Sequence, residues 1–222
     1  AGKLYWAQNI GNDSRIVRAD LSGANATTIL AWPQVSDPTA IAVDSSGGKL
    51  YWVQSAGNDS RILRANLDGT SAQTLVVWPQ VSDPKAISVD PAAGKLYWAQ
   101  SAGNSSRLLR ADASGANVET LVVWPQISSP TAIAVDSIGG KVYWAQDIGN
   151  DSRLLRADAN GQNATTLLVW PQVSDPTDLS LHVVQTGKIP TVSEWGMAVM
   201  ILLVLVAGTL LLLRRDHPAC CE

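Results

Sequence analysis

The residues able to do chemistry recur at fixed intervals along the chain. Asp44, Asp90 and Asp136 stand 46 residues apart. A ring of carboxylates of that kind would suit a cation. An aspartate that accepts backbone N–H groups a few residues on would serve a turn instead. The turn reading is favoured, because the fourth position of the series holds His182-Val183 and no Asp. The loops Asn12-Asp13-Ser14, Asn58-Asp59-Ser60, Asn104-Ser105-Ser106 and Asn150-Asp151-Ser152 keep the same interval. Each offers at most one carboxylate and the third offers none, whereas calcium takes about 6–8 oxygens. Their match to the Asn-x-Ser glycosylation pattern, shared by Asn25-Ala26-Thr27 and Asn163-Ala164-Thr165, reads as turn chemistry. Arg15 and Arg18 recur as Arg61/Arg64, Arg107/Arg110 and Arg153/Arg156. Three apart on a strand, the two members of each pair point to opposite faces. Pairing with blade-edge Asp, with the stems covering apolar surface, is expected of them. His182 and His217 are the only histidines. No catalytic residue, metal-ligand set or cofactor site is expected from these groups.

The elements that must position these residues come from one repeat. Tyr5-Trp6, Tyr51-Trp52, Tyr97-Trp98 and Tyr143-Trp144 recur every 46 residues without drift. Trp32, Trp78, Trp124 and Trp170 keep the same period, each followed by Pro-Gln. An Ala-Ile-x-Val-Asp run appears at 40–44, 86–90 and 132–136. Within one copy, Lys49–Gln54, Arg61–Leu67, Ala72–Trp78 and Ala86–Val89 read as short strands, rich in aromatic and β-branched residues. Asp68-Gly69 and its counterparts Ser22-Gly23, Ser114-Gly115 and Asn160-Gly161 suit tight hairpins that need positive φ. No helical period appears in the repeats.

Four short antiparallel strands in 46 residues predict an all-β chain, each repeat being one blade of a propeller. The Ala-Ile-x-Val run, with its small residues, is expected at the hub. The tryptophans are expected to supply the apolar area between blades. Pro79–Pro84 is expected to be the linker between rim and hub, kept out of any ladder by its two prolines. A parallel β-solenoid is the alternative, although its coils lack these hairpin signals.

The run Gly-Lys-Leu-Tyr-Trp-x-Gln, followed by Arg61–Gly69 and Pro-x-Ala-Ile-x-Val-Asp, resembles the low-density-lipoprotein-receptor class B repeat, or YWTD repeat. The similarity covers roughly residues 1–183. It implies a β-propeller, in that family usually six-bladed, used for protein binding and domain organisation rather than chemistry. Its signature here is carried by Tyr5, Trp6, Tyr51, Trp52, Tyr97, Trp98, Tyr143 and Trp144. The family's Thr-Asp after Tyr-Trp is replaced by Ala-Gln or Val-Gln, at Gln8, Gln54, Gln100 and Gln146. An amide both donates and accepts, so Gln suits a related hydrogen-bonding role. The chain opens inside a repeat, which reads as an N-terminally truncated larger ring lacking a signal peptide and about two blades. The competing reading closes a ring of four by pairing the hub-like stretch 176–181 with the first three strands.

The composition changes after residue 185. Gly196–Leu213 is eighteen residues without a charge, enough for a helix of about 27 Å, close to the hydrocarbon thickness. Arg214-Arg215 follows as a stop signal, which places the tail 214–222 in the cytoplasm and the repeats outside. Ahead of this span lies Ile189-Pro190-Thr191-Val192-Ser193-Glu194-Trp195-Gly196. Motif, span and basic stop together resemble the IPTL-CTERM sorting signal of Gram-negative bacteria, related to PEP-CTERM. That resemblance implies an exosortase-type membrane protease as partner, with cleavage near the motif and transfer to the cell surface. Cys220 and Cys221 lie beyond the stop signal, where palmitoylation or metal binding would be the chemistry available.

The expected organisation is therefore repeats over 1–184 (units near 1–46, 47–92, 93–138 and 139–184), a linker with the sorting motif over 185–195, a transmembrane helix over 196–213 and a tail. Charged residues make up 16% and hydrophobic ones 46%, which excludes a disordered chain. A net charge of −3 supplies no basic field for nucleic acid. With both Cys at the far C-terminus, a disulfide framework within the repeats is excluded. The function expected is a non-enzymatic extracellular binding or scaffold propeller for a protein or polysaccharide ligand, sorted through the inner membrane. The rival is a propeller-class hydrolase or lyase, lactonase-like, with catalytic residues in a region ahead of Ala1.

Overall fold

The computed structural model describes residues 2–102 and 105–182, all within the first of two units, 1–182 and 183–222. The expected sorting motif 189–196, the apolar span 196–213 and Arg214-Arg215 lie outside the described residues.

The described residues form fifteen strands in four antiparallel sheets. The first sheet has three strands: β1 (Lys3–Gln8), β2 (Arg15–Asp20) and β3 (Thr27–Ala31). The second runs β4 (Pro38–Asp44), β5 (Lys49–Gln54), β6 (Arg61–Asn66) and β7 (Gln73–Val77) in spatial order. The third comprises β8 (Pro84–Asp90), β9 (Lys95–Gln100), β10 (Arg107–Asp112) and β11 (Glu119–Val123). The fourth comprises β12 (Pro130–Asp136), β13 (Lys141–Gln146), β14 (Arg153–Asp158) and β15 (Thr165–Val169). Each sheet is a simple up-and-down meander, as short hairpin turns require.

The sequence unit and the sheet are out of step by one strand. A repeat opens on the Tyr-Trp strand, but the innermost strand of that sheet ends the preceding repeat. Thus β4 pairs with β5 through Ile41↔Trp52 and Ala42↔Tyr51, across the boundary between the first two units. The stretch 79–84 was expected to stay out of the ladder as a whole. Pro84 instead opens β8 opposite Gln100, with a register shift before Ala86. A strand's first residue tolerates proline, because the missing N–H costs no interior bond.

Strands β5, β9 and β13 bury both faces, so they read as near-continuous apolar runs. Leu50 and Trp52 pack backwards with Ile16 and Leu30 of the first sheet and with Val35 of the linker that follows it. Tyr51 and Val53 pack forwards with Ile87, Leu96, Trp98 and Leu109 of the third. Tyr97, Ala99 and Leu108 repeat the forward contact against Ile133, Val142 and Trp144 of the fourth. Period-two alternation thus aims successive side chains at two different neighbours. Three such joints hold four sheets face to face.

Arginine bonds lace the same joints. Arg18 donates to the Leu67 carbonyl at 3.4 Å, Arg64 to Ala113 at 3.0 Å and Arg110 to Ala159 at 2.7 Å. The pairing with blade-edge aspartates expected of these arginines is therefore not their main role: they bond the backbone of the next sheet. Arg110 also bonds Glu119 and lies 6.0 Å from the centre of the Tyr97 ring.

Residues 177–182 lie in no strand, and β1 remains the edge of its three-stranded sheet. The ring of four that this stretch was expected to close, in the competing reading, does not form by pairing with β1. Its residues instead line the channel against β4, β8 and β12.

Candidate functional site

The register assigns every loop to one of two ends. Pro38 lies opposite Gln54, Gln54 opposite Arg61 and Arg61 opposite Val77. The turns between the second and third strands, the tryptophans after the outer strands and the start of the hub strands therefore share one end, called here the turn face. Asp44 opposite Lys49 and Lys49 opposite Asn66 define the other end.

On the turn face the hub opens into a channel mouth. Thr39, Lys85, Thr131 and Thr177 stand at equivalent positions and line one cavity of about 380 Å3, together with Asp178. A second cavity of about 520 Å3 adds Ser101, Ser129 and Asp147. Thr39 Oγ1 donates to the Pro84 carbonyl at 2.8 Å and so ties neighbouring hub strands together. Lys85 breaks the symmetry, since three of the four positions hold Thr. Its ammonium bonds Asp83 at 2.7 Å, and the same carboxylate oxygen accepts from Ser55 at 3.0 Å. The mouth is polar and hydroxyl-rich, and its Lys85 lies beside a carboxylate.

Around this mouth the first, second and fourth repeats each contribute a 3-10 turn, at Gly11–Asp13, Gly57–Asp59 and Gly149–Asp151. A buried serine locks it. Ser14 and Ser60 Oγ each donate to the carbonyl of the turn's glycine at 2.7 Å, and Ser152 does so at 2.9 Å. The arginine that follows bonds its own turn: Arg61 pairs with Asp59, and Arg153 with Asp151 at 2.7 Å. Arg15 takes Gln8 instead, at 2.6 Å. In the third repeat Ser105 stands where the others have Asp, so Arg107 has no carboxylate at that slot.

The signature residues divide. Trp52, Trp98 and Trp144 are fully buried, and Tyr51 and Tyr97 almost so; Tyr5, Trp6 and Tyr143 are half-buried. These belong to the joints and to no site. Of the glutamines after them, Gln54, Gln100 and Gln146 are buried and Gln8 is half-buried. Gln54 Oε1 accepts from the Trp52 indole at 2.9 Å. Gln100 and Gln146 turn to the linkers and accept from Ser82 at 3.2 Å and Ser128 at 3.3 Å. The amide therefore fixes where the linker reaches the hub strand, and among the described residues the Trp98 and Trp144 indole nitrogens find no hydrogen-bond partner.

Asp44, Asp90 and Asp136 lie at the end opposite the turn face, and each accepts from its own turn. Asp44 bonds Gly47 N and Ser46 Oγ, both at 2.7 Å. Asp90 accepts from Ala93 N at 3.1 Å, and Asp136 from Ile138 N at 3.0 Å and Gly139 N at 2.8 Å. Burial pushes the Asp44 carboxyl up, but these bonds outweigh it and hold it below its ordinary range. Among the described residues, no group of three or more His, Cys, Asp or Glu is arranged to hold a metal ion.

The same end carries a repeated ion pair: Lys3 with Asp20, Lys95 with Asp112 at 2.5 Å and Lys141 with Asp158. In the second repeat Lys49 finds Asn66 instead, at 2.6 Å. The lysine, then the adjoining Asn25, Asn117 or Asn163, lowers each aspartate from its ordinary 3.8. A carboxylate with a depressed folded-state pKa stabilises the fold above its unfolded value, and that stabilisation is lost as pH falls through the folded one. Urea unfolding midpoints are therefore expected to be flat through neutral pH with respect to these groups and to fall below about pH 3.8. Lys95→Met is expected to flatten that acid limb, and an unchanged limb would count against the pair's contribution.

Sequence reasoning placed all repeated tryptophans between blades. Trp32, Trp78, Trp124 and Trp170 are instead about half exposed, at the rim of the turn face. The signal that separates them is the following Pro-Gln: a tryptophan at the end of an outer strand, just before a linker, has no further sheet to lie against.

No family model matches the sequence, and neither does any curated protein. Solved structures do resemble it. A chain in the crystal structure of a nidogen/laminin complex superimposes with a TM-score of 0.65 at 24% identity, over 74% of this chain and 60% of that one. TolB from Acinetobacter baumannii gives 0.59 at 15% identity, over 75% of this chain and 41% of its own. A chain of the hydrazine synthase of Kuenenia stuttgartiensis gives 0.55 at 14%, over 69% and 43%. The chain thus spans less than two thirds of the length of each. At such identities the likeness defines the fold: the protein is a β-propeller, as its repeats predict. These three names do not share a function, so the fold by itself selects none.

Proposed function

We propose that the chain is a non-enzymatic binding propeller that works outside the cytoplasm and meets its ligand with the turn face. One observation carries this reading. The same constellation of 3-10 turn, arginine and rim tryptophan is repeated around a hydroxyl-lined mouth. A repeated polar surface suits multivalent contact, in which weak sites joined in one body gain avidity. Catalysis needs an asymmetric cluster of perturbed acids and bases. The lining of the mouth offers Asp147 and Asp178 and no histidine, so the hydrolase or lyase reading depends on groups outside the described residues.

The C-terminal stretch supplies the rest of the proposal. The motif 189–196, the uncharged span 196–213 and Arg214-Arg215 would deliver the repeats across the inner membrane and present them to an exosortase-type protease. The mature form would then reach the cell surface or outer envelope. Mass spectrometry of the surface-exposed protein tests this. A product ending near the motif is expected, and recovery only of a chain ending at Glu222 would overturn the processing step. For the binding reading, crosslinking in the producing cell is expected to trap an envelope protein or polysaccharide on the whole chain. Failure to trap any partner, together with turnover of a lactone by the whole chain, would favour the enzyme instead.

A further inference from the structure

The half-exposed tryptophans are built into place. Trp32, Trp78, Trp124 and Trp170 are 51%, 46%, 47% and 48% exposed, whereas Trp52, Trp98 and Trp144 are 0% exposed. Four half-exposed indoles at one equivalent position give the turn face a repeated apolar feature that a ligand can cover. Each rim tryptophan is anchored through its backbone. The N–H groups of Trp32, Trp78, Trp124 and Trp170 donate to the carbonyls of Ser14, Ser60, Ser106 and Ser152 at 3.0, 3.1, 3.2 and 3.0 Å. Those serines are buried, and their hydroxyls in the first, second and fourth repeats lock the adjoining turn. Turn and indole are therefore held as one rigid pair, which keeps the ordering cost of binding low.

In the first and third repeats the two sides of the pair enclose a shallow cleft. In the first repeat it measures about 190 Å3 and is lined by Asn12, Asp13, Arg15, Thr28 and Trp32. In the third it measures about 290 Å3, with Ser105, Arg107, Thr120 and Trp124. The lining brings an indole together with a guanidinium, hydroxyls and, in the first repeat, a carboxamide and a carboxylate. A pyranose ring has the complementary form. One of its faces presents C–H groups to stack on an indole, and its rim presents hydroxyls that both donate and accept. Arg only donates and an ionised Asp only accepts, so neighbouring hydroxyls can engage both. The turn's Asp offsets its arginine's charge in the first, second and fourth repeats, with Arg61 and Arg153 ion-paired to it, and only Arg107 of the third repeat, beside Ser105, faces no turn carboxylate. That leaves little net charge there to select an anion.

The repetition itself separates the candidate ligands. A folded protein partner presents an irregular surface, and four equivalent rim tryptophans would meet four unlike patches. A polysaccharide repeats, as the tryptophans do. We propose that the rim tryptophans and the clefts beside them bind pyranose units of a neutral polysaccharide, a proposal that rests on the binding-propeller reading and names its ligand.

Affinity electrophoresis and tryptophan fluorescence of the whole chain in mild detergent test it, with dextran, mannan, xylan and galactomannan as probes and alginate as the acidic control. At least one neutral probe is expected to retard the protein and perturb its fluorescence. Trp32→Ala, Trp78→Ala, Trp124→Ala and Trp170→Ala combined are expected to weaken the apparent affinity about 100-fold or more, with single changes losing part of it. Should the combined variant misfold, Trp124→Ala against Trp124→Phe decides, because only the aromatic replacement is expected to retain binding. Binding to none of the neutral probes, binding to alginate alone, or binding indifferent to the Ala changes would overturn the inference. A protein partner trapped on the turn face without polysaccharide binding would overturn it too, yet leave the binding propeller standing. Loss of every partner would sink both.

Discussion

Replacing Trp98 by Ala is expected to cost roughly 3–5 kcal/mol in the unfolding free energy of the whole chain. The indole is fully buried in the joint between the second and third sheets, among Tyr51, Val53, Ile62 and Val76. Its removal leaves a hole bounded by two sheets, which close on it only by tilting one against the other. Trp98→Phe is expected to cost far less. The indole nitrogen is buried without an acceptor, so the smaller ring removes a donor that already lacks its bond. Trp6→Ala, at the half-buried first sheet, is expected to fall between these. Chemical denaturation read by circular dichroism checks all three. A loss below about 1 kcal/mol for Trp98→Ala would place the joint's cohesion elsewhere. Because each sheet touches only its neighbours, the damage is also expected to divide unfolding into two steps rather than shift a single one.

Gly115→Ala should be comparably harmful, for a different reason. Gly115 turns the hairpin between β10 and β11 at φ +89, and a Cβ there would stand 2.6 Å from the Leu75 carbonyl oxygen of the preceding sheet. The positive φ alone costs an alanine about 1–2 kcal/mol. The clash adds to it, because the obstacle is backbone and does not swing aside. Gly23 is the internal control. It occupies the same turn of the first repeat at φ +82, with nothing within 4 Å of the position of its Cβ. Gly23→Ala is therefore expected to show the backbone cost by itself. The difference between the two substitutions measures how tightly each hairpin tip is seated on the sheet before it, and equal losses would show that the seat is loose.

The two residues also mark what could be read from sequence and what could not. The 46-residue period, the strand starts at Lys49 and Arg61 and the Gly-containing hairpins were legible, because turn chemistry and alternation are local. The aspartate turns were legible for the same reason: Asp44 needs only its own next three residues. The partners of Arg64 and Arg110 were not, since Ala113 and Ala159 lie 49 residues further on and no local rule selects a backbone carbonyl in the next sheet. The division of the tryptophans into buried and rim sets also depends on tertiary placement. Composition treats Trp52 and Trp78 alike, and only the end of an outer strand tells them apart. Pro84 was misplaced because proline's aversion to ladders has an exception at a strand's first residue, and the exception shows only once the register with Gln100 is known.

The one-strand offset between repeat and sheet has a consequence for how such a chain can lengthen or shorten. Every joint is made from the same pair of surfaces, and the second, third and fourth sheets each borrow an innermost strand from the copy before. Deleting or duplicating any contiguous 46 residues, wherever the cut falls, therefore rejoins matching halves and leaves each seam with the chemistry it had. Gene-level slippage would then change the number of rim tryptophans in whole steps. A protein assembled in this way can retune how strongly it grips a polymeric target without inventing a single new contact.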